Sequence, residues 1–349
     1  MRHFSRARYS FIGFLLIALL GACQRPPPVY QQQVLALGTL VDISIYGVDT
    51  NKAQAAVEAV TRQMQAVQQH WHAWQPSRLT EINQQLQAGK SVTLSSDESR
   101  IIQQAMDVSK RSHYLFDPAI GKMVELWGFH SDVRPDIPPP GDAAIQSLLQ
   151  EHPSMADLTL QNNVLSSRNP AVQLDFGGFA KGIAIDNGIA ELKRLGINNA
   201  IVNAGGDMRV IGRKGKQPWR IGIRHPRAGG VIASLEMQGD ESIYTSGDYE
   251  RYFDYHGKRY HHIIDPRTGM PAPGVTSVTV IHPDAAIAEA ADKALFIAGP
   301  AGFAKMASQL GIKQAMLIDA QGTVYLTPAM AKRIHFEITP APKSVIVQP

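Results

Sequence analysis

The sequence predicts an α+β fold in which mixed sheets carry flanking helices. Segments with alternating apolar residues, typical of strands, and segments with apolar residues at every third or fourth position, typical of amphipathic helices, both occur. The two kinds of segment do not alternate regularly, as a doubly wound parallel sheet would require. The 349 residues, of which 44% are hydrophobic, suffice for one large domain or two small ones.

The first half of the chain is predicted to contain one strand and two helices. Apolar residues alternate within residues 34–46, which predicts the strand. They recur at helical spacing in residues 53–67 and 97–112, which predicts the helices, and residues 71–83 are predicted to form a loop. Residues 135–141 contain four prolines, which predicts a loop and a possible subdomain edge.

The second half is predicted to begin with a helix from residue 183 that ends before Gly196, a residue suited to close a helix. A short buried strand at 200–202 follows. Further strands are predicted at 219–224, 231–237, 251–255, 259–264, 275–282, 314–319 and 323–327, and helices at 284–298 and 301–310.

Residues 1–22 have the pattern of an export signal. A segment with three arginines precedes an apolar run, residues 11–20, that is short for a transmembrane helix. Leu20-Gly21-Ala22-Cys23 then resembles a lipoprotein cleavage box, so Cys23, the only cysteine, is predicted to carry a lipid. The alternative is an ordinary cleaved signal with an incidental cysteine.

The segment 23–33, rich in proline and glutamine, is predicted to be a tether that joins the lipid to a domain at 34–335. We therefore expect an exported protein on the periplasmic face of a bacterial membrane, inner or outer. Without residues 1–22 the chain has 31 basic and 30 acidic residues, and it has no basic run interleaved with aromatic residues. A nucleic-acid partner is not expected.

A glycine turn at the start of a predicted helix is the most informative motif. Asp175-Phe-Gly177-Gly178-Phe-Ala-Lys181 places a carboxylate, two glycines and a lysine at the mouth of the helix, and Gly205-Gly206-Asp207 follows a buried strand. Glycines allow a phosphate to approach the backbone, and helix N–H groups and a lysine neutralise its charge. The pattern indicates a site for a phosphate-bearing cofactor, although a strand-to-helix turn and a hairpin turn would look similar.

Two polar stretches follow in the chain. Residues 244–249 are predicted to be a hydroxyl-rich turn, either solvated or binding phosphate. In the stretch that begins with His261 and His262, strand alternation sends the two rings to opposite faces, which argues against a shared zinc ion. One of these histidines is a candidate proton acceptor, and Asp265 lies at the turn that follows.

Three charged residues lie on one predicted helix. Glu289 and Lys293 have the spacing of an exposed ion pair, which is the default interpretation, whereas Glu289 and Asp292 share a face and could bind a hard cation. Trp74 and the run Leu115-Phe116-Asp117 supply aromatic and apolar surface, either for a ring-binding pocket or for the core.

In this order the motifs resemble those of the ApbE family, the FAD:protein FMN transferases. The resemblance covers the chain from Leu37-Gly38-Thr39 to about Leu326. It includes Phe116-Asp117-Pro118, Leu126-Trp127-Gly128-Phe129, the Asp175 to Gly182 motif, Gly205-Gly206-Asp207, Thr245-Ser246-Gly247-Asp248-Tyr249 and His262-Ile-Ile-Asp265-Pro266-Arg-Thr-Gly269. It implies an ApbE-like, T-fold-like architecture. It also implies cleavage of FAD at its pyrophosphate, attachment of FMN to a Thr or Ser hydroxyl of an acceptor flavoprotein, and release of AMP.

The resemblance also implies roles for single residues. His262 would accept the proton of the attacking hydroxyl, with Asp265 as a second candidate, and Lys181 and Mg²⁺ would offset phosphate charge. The implied metal site comprises Gly178, Glu289 and Asp292. The implied FAD contacts are Leu37, Trp74 (usually tyrosine in the family), Leu115, Phe116, Asp117, Asp175, Lys181 and Ile264.

The metal-binding helix departs from the family pattern. Glu289 stands where the family has aspartate, and Lys293 stands at a threonine position. Asp292 could replace the lost ligand, Lys293 could itself supply the cation, or the chain could bind FAD without efficient turnover. Mg²⁺ remains the expectation. The alternative functions are an FAD pyrophosphatase that releases FMN and AMP, and a non-catalytic FAD-binding lipoprotein.

Overall fold

A mixed sheet of nine strands forms the centre of the computed structural model, which describes residues 28–131 and 138–348. In the first half the elements are, in order, β1 (Tyr30–Ala36), β2 (Thr39–Ile45), α1 (Thr50–Trp71), α2 (Arg78–Gln87), β3 (Val92–Thr93), α3 (Ser96–Arg111), α4 (Gly121–Leu126), α5 (Asp142–Glu151), a 3₁₀ turn (Met155–Asp157), β4 (Leu158–Gln161) and β5 (Val164–Ser167). In the second half they are α6 (Ala180–Arg194), β6 (Ala200–Ala204), β7 (Asp207–Gly212), β8 (Trp219–Arg224), β9 (Val231–Met237), β10 (Gly239–Gly247), β11 (Tyr252–Tyr255), β12 (Lys258–His261), β13 (Ile264–Asp265), β14 (Met270–Pro271), β15 (Val275–His282), α7 (Ala285–Leu310), β16 (Gln314–Asp319), β17 (Val324–Leu326), α8 (Pro328–Ala331), β18 (His335–Phe336) and β19 (Ser344–Ile346).

The strands of the large sheet are arranged in the order β1-β2-β6-β7-β10-β15-β16-β17-β19. Neighbouring strands are antiparallel except for the last pair, β17 and β19, which run parallel. Smaller sheets are formed by β18-β9-β8, β3-β5-β4, β11-β12 and β13-β14. The predicted α+β class with mixed sheets is confirmed.

The two faces of the large sheet are covered differently. On one face, Val41 and Ile43 of β2 pack in the main core with Ile185 of α6 and Phe296 of α7. On the other face, residues of β10, β15 and β16 pack against β8 and β9 in a second apolar cluster. Both faces are buried at the central strands, whereas one face of β1 and β2 is exposed at Leu35 and Leu40.

A third apolar cluster lies beside the sheet and joins α4 and α5 to β13. Trp127 is its largest member, and its indole N–H donates to the carbonyl of Gly269 over 2.7 Å. Phe253 and Tyr260 of the β11–β12 hairpin stack with ring centroids 5.2 Å apart, and both pack on this cluster. This contact fixes the segment that leads into β13.

Helix α1 has a side-chain cap, and helix α7 contains one break. Asp49 caps α1 by accepting a hydrogen bond from the Lys52 N–H over 2.9 Å. Helix α7 is interrupted at Gly299, whose φ of 64° and ψ of −179° are not helical, and Pro300 follows. The break separates the two helices that the sequence predicts there.

Several predicted boundaries differ from the structure. Residues 34–46 form parts of two strands, β1 and β2, joined by a turn at Leu37 and Gly38. Helix α2 occupies part of the predicted loop 71–83. Strand β1 begins at Tyr30, within the predicted tether, and β19 joins the sheet after residue 335, so the folded part is longer than 34–335 at both ends.

Residues 244–249 are also not a turn between strands, because Tyr244 to Gly247 belong to β10 in the middle of the sheet. The predicted export signal, Cys23 and residues 135–137 of the proline-rich loop lie outside the described residues. Within 28–131 and 138–348, no helix is long and apolar enough to cross a lipid bilayer.

Candidate active site

A cleft of about 860 Å³ opens where turns from distant parts of the chain meet. Its walls comprise the β1–β2 turn, the segment after α1, the glycine turn before α6, the β6–β7 turn and the start of α7. The cleft wall contains all eight residues predicted to contact FAD: Leu37, Trp74, Leu115, Phe116, Asp117, Asp175, Lys181 and Ile264. The predicted site residues Gly178, His262 and Glu289 also line it.

Trp74 forms an aromatic wall at one end of the cleft. Its indole N–H donates to Asp175 Oδ2 over 3.3 Å, and its ring lies 5.3 Å from the ring of His130, centroid to centroid. Leu37 lies nearby in the β1–β2 turn with a φ of 56°, and its N–H donates to Gln68 Oε1 over 2.8 Å. These contacts fix the Trp74 ring and the Leu37 backbone, and both residues line the cleft.

Asp175 organises the glycine turn. Its Oδ1 accepts a hydrogen bond from the Gly177 N–H over 2.7 Å, and α6 begins three residues further on, at Ala180. Burial raises the pKa of Asp175, against the hydrogen bonds from Gly177 and Trp74, which favour the ionised form. The turn therefore brings the N-terminal end of α6 to the cleft, where the Ala180 N–H donates to the Phe176 carbonyl and the Gly182 N–H donates to Glu289.

The carboxylate of Asp117 accepts hydrogen bonds from neighbouring groups of the protein. It accepts hydrogen bonds from the Ser154 hydroxyl over 2.7 Å and from the N–H groups of Ala119 and Met155, each over 3.0 Å. Burial raises its pKa to about 6, although these hydrogen bonds lower it. Asp117 lines the cleft, but its carboxylate serves to hold the loop in place.

Lys181 extends from the first turn of α6 and forms an ion pair with Asp207 at the β6–β7 turn. The other carboxylate oxygen of Asp207 accepts a hydrogen bond from the Thr245 N–H of β10 over 2.9 Å. Burial lowers the pKa of Lys181, but the negative charges of Asp207 and Glu289 outweigh it and raise the pKa above its ordinary value. The ammonium group is therefore charged and fixed at the cleft wall.

Two fully buried carboxylates of α7 lie beside this pair. Glu289 Oε2 accepts a hydrogen bond from the Gly182 N–H over 2.6 Å, and Asp292 Oδ1 accepts one from the Ser246 hydroxyl over 2.9 Å. No donor among the described residues reaches the second oxygens, Glu289 Oε1 and Asp292 Oδ2. Burial raises the pKa of Glu289 to about 7 and that of Asp292 to about 6.

Lys293 follows directly and lies against both carboxylates. Its Nζ donates to Asp292 Oδ1 over 3.0 Å and to the carbonyl of Glu289 over 2.9 Å, and it lies 3.9 Å from Glu289 Oε1. The side chain of Lys293 is 17% exposed. The ion pair predicted on this helix therefore exists, but it is buried and its closest carboxylate belongs to Asp292. In the described part of the chain, no cluster of three or more His, Cys, Asp or Glu residues could hold a metal ion.

The two adjacent histidines face different surroundings, as their alternation predicts. His261 is buried, with its Nε2 3.0 Å from the carbonyl of Ala272 and its ring against Phe296. His262 lines the cleft, and its Nδ1 lies 3.1 Å from the carbonyl of Arg251. Burial, assisted by the positive charges of Arg251 and Lys293, lowers the pKa of His262 to about 3, so the ring is neutral near pH 7.

Asp265, the second candidate proton acceptor, pairs with a neighbouring arginine. Its carboxylate pairs with the guanidinium of Arg267 over 2.7 Å and also accepts the Arg267 N–H over 2.9 Å, and the residue is not part of the cleft wall. Its carbonyl accepts hydrogen bonds from the N–H groups of Thr268 and Gly269. Asp265 therefore shapes the turn, and its catalytic role stays a prediction.

The sequence did not indicate two further residues of the cleft. Arg251 lies on the wall and donates to the carbonyl of Phe129 over 2.8 Å, and His130 packs on Trp74. No sequence motif includes Arg251, which directly precedes the β11–β12 hairpin. His130 directly follows the Trp127-Gly128-Phe129 motif, and that position could have drawn attention to it.

The fold agrees with comparisons to known proteins. A model of the ApbE family matches residues 37–317. An FAD:protein FMN transferase of Rhodobacter capsulatus is 39% identical over 323 residues, which is 93% of this chain but 62% of that relative, so the chain spans less than two thirds of its length. An FAD:protein FMN transferase of Haemophilus influenzae is 29% identical over 82% of this chain and 86% of its own length. The crystal structure of an ApbE protein from Thermotoga maritima superimposes with a TM-score of 0.80 at 31% identity and covers 87% of this chain and 99% of that one.

Proposed function

The chain belongs to the ApbE family, and we propose that it is an FAD:protein FMN transferase. The observation that carries this proposal is the cleft, in which an aromatic wall, a glycine turn with Lys181 and a neutral His262 surround one space of about 860 Å³. In the proposed reaction a Thr or Ser hydroxyl of an acceptor flavoprotein attacks the phosphorus atom on the FMN side of FAD. The bond to the other phosphate breaks, and AMP leaves.

The apolar end of the cleft suits the flavin ring system. Trp74 presents an aromatic face, and Leu115 and Phe116 add apolar surface beside it. Stacking and burial of a ring of this size are favourable, and the hydrogen bond from Trp74 to Asp175 fixes the wall in advance. Tryptophan therefore serves where the family usually has tyrosine.

The charged part of the cleft suits the pyrophosphate. Lys181 and Lys293 provide two ammonium groups, and the glycine turn holds the start of α6 beside them. Phosphoryl transfer depends mainly on positioning and on neutralising charge on the phosphates. The ion pair with Asp207 keeps the Lys181 ammonium group in position before FAD arrives.

His262 is suited to accept the proton of the attacking hydroxyl. A carbonyl oxygen can only accept, so the contact with Arg251 requires the hydrogen on Nδ1 and leaves Nε2 with its lone pair. The ring is neutral at pH 7, but a pKa of about 3 makes it a weak base before FAD binds. The negative charge of bound phosphates raises the pKa of a nearby imidazole and so makes it a stronger base.

The Mg²⁺ expected from the resemblance does not fit the residues as they stand. The unpartnered oxygens of Glu289 and Asp292 are hard ligands. However, the Lys293 ammonium group already contacts Asp292, and the Lys293 side chain lies against Gly178. A divalent ion bound to these oxygens would lie beside a positive charge, so no step of the proposed reaction relies on it.

The acceptor and the cellular location also belong to this proposal. The acceptor would be a flavoprotein with an exposed Thr or Ser, in the same compartment as the enzyme. The signal pattern in residues 1–22 and the box ending at Cys23 support export and a lipid anchor on the periplasmic face of a bacterial membrane. Replacement Cys23→Ser should release the chain from the membrane fraction, and an unchanged distribution would contradict the anchor.

Incubation with FAD and a candidate acceptor tests the reaction. We expect the acceptor to gain the mass of FMN on a Thr or Ser, with release of an equal amount of AMP. An acceptor in which that residue is replaced by Ala is the matched control. Release of FMN and AMP without a mass gain would indicate the hydrolase, and tight FAD binding without AMP would indicate a binding protein. The names of the relatives do not favour either alternative.

A further inference from the structure

Building on the proposed function, we infer that the ammonium group of Lys293 is the resident cation of this site and takes the place of a divalent metal ion. The group would offset part of the negative charge of Glu289 and Asp292 and present a hydrogen-bond donor to the phosphates of FAD. FAD binding and FMN transfer by this chain would then not require Mg²⁺.

The contacts of Lys293 carry the argument. The ammonium group has two hydrogen-bond acceptors, Asp292 Oδ1 at 3.0 Å and the carbonyl of Glu289 at 2.9 Å, and it lies 3.9 Å from Glu289 Oε1. Glu289 and Asp292 are 0% and 1% exposed, so their charges need a positive partner within the protein. Lys293 is that partner, and it belongs to the same helix.

Gly178 provides a second, independent observation. A methyl group at this position would lie 2.9 Å from both Cδ and Cε of Lys293, closer than side chains pack. The absence of a side chain at Gly178 therefore leaves room for the lysine to cross the turn and reach the carboxylates. The site is shaped to hold Lys293 in this position.

The charges around Lys293 also argue against a divalent metal ion at this site. Asp207, Glu289 and Asp292 supply three negative charges when ionised, and Lys181 and Lys293 supply two positive charges. A divalent ion on Glu289 and Asp292 would have to displace the Lys293 ammonium group or remain in contact with it. Repulsion between adjacent cations in a buried site is strong, so the two arrangements exclude each other.

The unmodified chain is tested first, after treatment with EDTA. We expect Mg²⁺ alone to leave its Tm unchanged, and FAD to bind with a Kd that differs by less than about twofold with EDTA or with Mg²⁺. A rise of Tm with Mg²⁺ alone, or FAD binding that tightens about tenfold or more with Mg²⁺, would overturn the inference. A chain that binds no FAD under either condition would instead contradict the proposed function.

Lys293→Thr provides the converse test, and Lys305→Thr, an exposed lysine in the second half of α7, is the matched control. With EDTA, Lys293→Thr should bind FAD about tenfold or more weakly, and Mg²⁺ should restore binding and raise its Tm. Lys305→Thr should behave like the unmodified chain. If Lys293→Thr binds FAD with full affinity in EDTA, the lysine is not the cation of the site. If the variant does not fold, the measurements on the unmodified chain decide.

Discussion

The carbonyl oxygen of Arg251 accepts two hydrogen bonds from His262, one from the backbone N–H at 3.0 Å and one from ring Nδ1 at 3.1 Å. The two contacts fix both the chain and the plane of the ring where His262 meets the cleft. They also fix the tautomer, because a carbonyl cannot donate. The unprotonated nitrogen is therefore Nε2, the atom available to a substrate.

Replacement His262→Ala should leave FAD binding nearly unchanged and slow FMN transfer about 10²–10⁴-fold, the usual contribution of a positioned base. The rate of mass gain on the acceptor measures transfer, and titration of FAD fluorescence measures binding. His256→Asn, at an exposed hairpin turn with a φ of 48°, is the control and should transfer at the normal rate. Transfer by His262→Ala at the normal rate would remove the assigned role.

Replacement Lys181→Met should abolish transfer and lower stability. It leaves Asp207 buried without its positive partner, and we expect a loss of about 1–3 kcal/mol in the free energy of unfolding. The lower end is favoured because the lysine side chain is 32% exposed. Urea denaturation of the single and double variants measures the loss.

The double variant Lys181→Met/Asp207→Asn separates structure from chemistry. It removes both charges, so most of the lost stability should return, while transfer stays absent because the phosphates have lost a cation. Recovery of transfer in the double variant would show that Lys181 only balances Asp207.

Replacement Gly178→Ala should displace Lys293. The added methyl group would come within 2.9 Å of the lysine side chain, which is flexible and can move at a cost of about 1 kcal/mol or less. We expect nearly normal stability but weaker FAD binding, measured by thermal denaturation and fluorescence titration. Gly141→Ala, where a methyl group meets nothing within 4 Å, is the control. Equal FAD affinities of the two variants would contradict the assigned contact.

Replacement Glu289→Gln should stabilise the chain at alkaline pH. Burial raises the pKa of Glu289 from 4.5 to about 7, so ionisation opposes folding as the pH rises through this interval. The stability conferred by the protonated form is complete below pH 4.5 and lost above about 7. The variant should gain about 1–3 kcal/mol at pH 8 and nothing at pH 4, measured by urea denaturation.

The exposed Glu58 of α1 offers the matched control, because Glu58→Gln should change stability equally little at both pH values. A Glu289→Gln variant that is less stable than the unmodified chain at pH 8 would show that its charge is fully compensated by the two lysines.

The sequence predicted the wall of the cleft well because each motif is local. Lys181 and Asp175 were found from one glycine turn. Strand alternation predicted that one of two adjacent histidines enters a site, the family resemblance implied His262, and the structure places all three residues on one cleft. The class of fold followed from the irregular order of strand and helix patterns. These predictions needed no knowledge of which segments meet.

The errors concern contacts between distant segments. The polar residues Thr245 and Ser246 suggested a turn, but they lie in β10, where Asp207 and Asp292 accept their hydrogen bonds. A turn at Leu37 was missed because apolar alternation continues through it, although its φ is 56°. The pairing of Asp265 with Arg267 was also not predicted.

The break at Gly299 and Pro300 divides α7 into two helical segments. The half before the break carries Glu289 and Lys293 and belongs to the cleft, whereas the half after it ends at Leu310. A spectroscopic label or a crosslinker on the exposed Lys305 can therefore be attached without disturbing Glu289 and Asp292. The second half of the helix therefore offers an attachment site for immobilising the protein or for following its activity with a label.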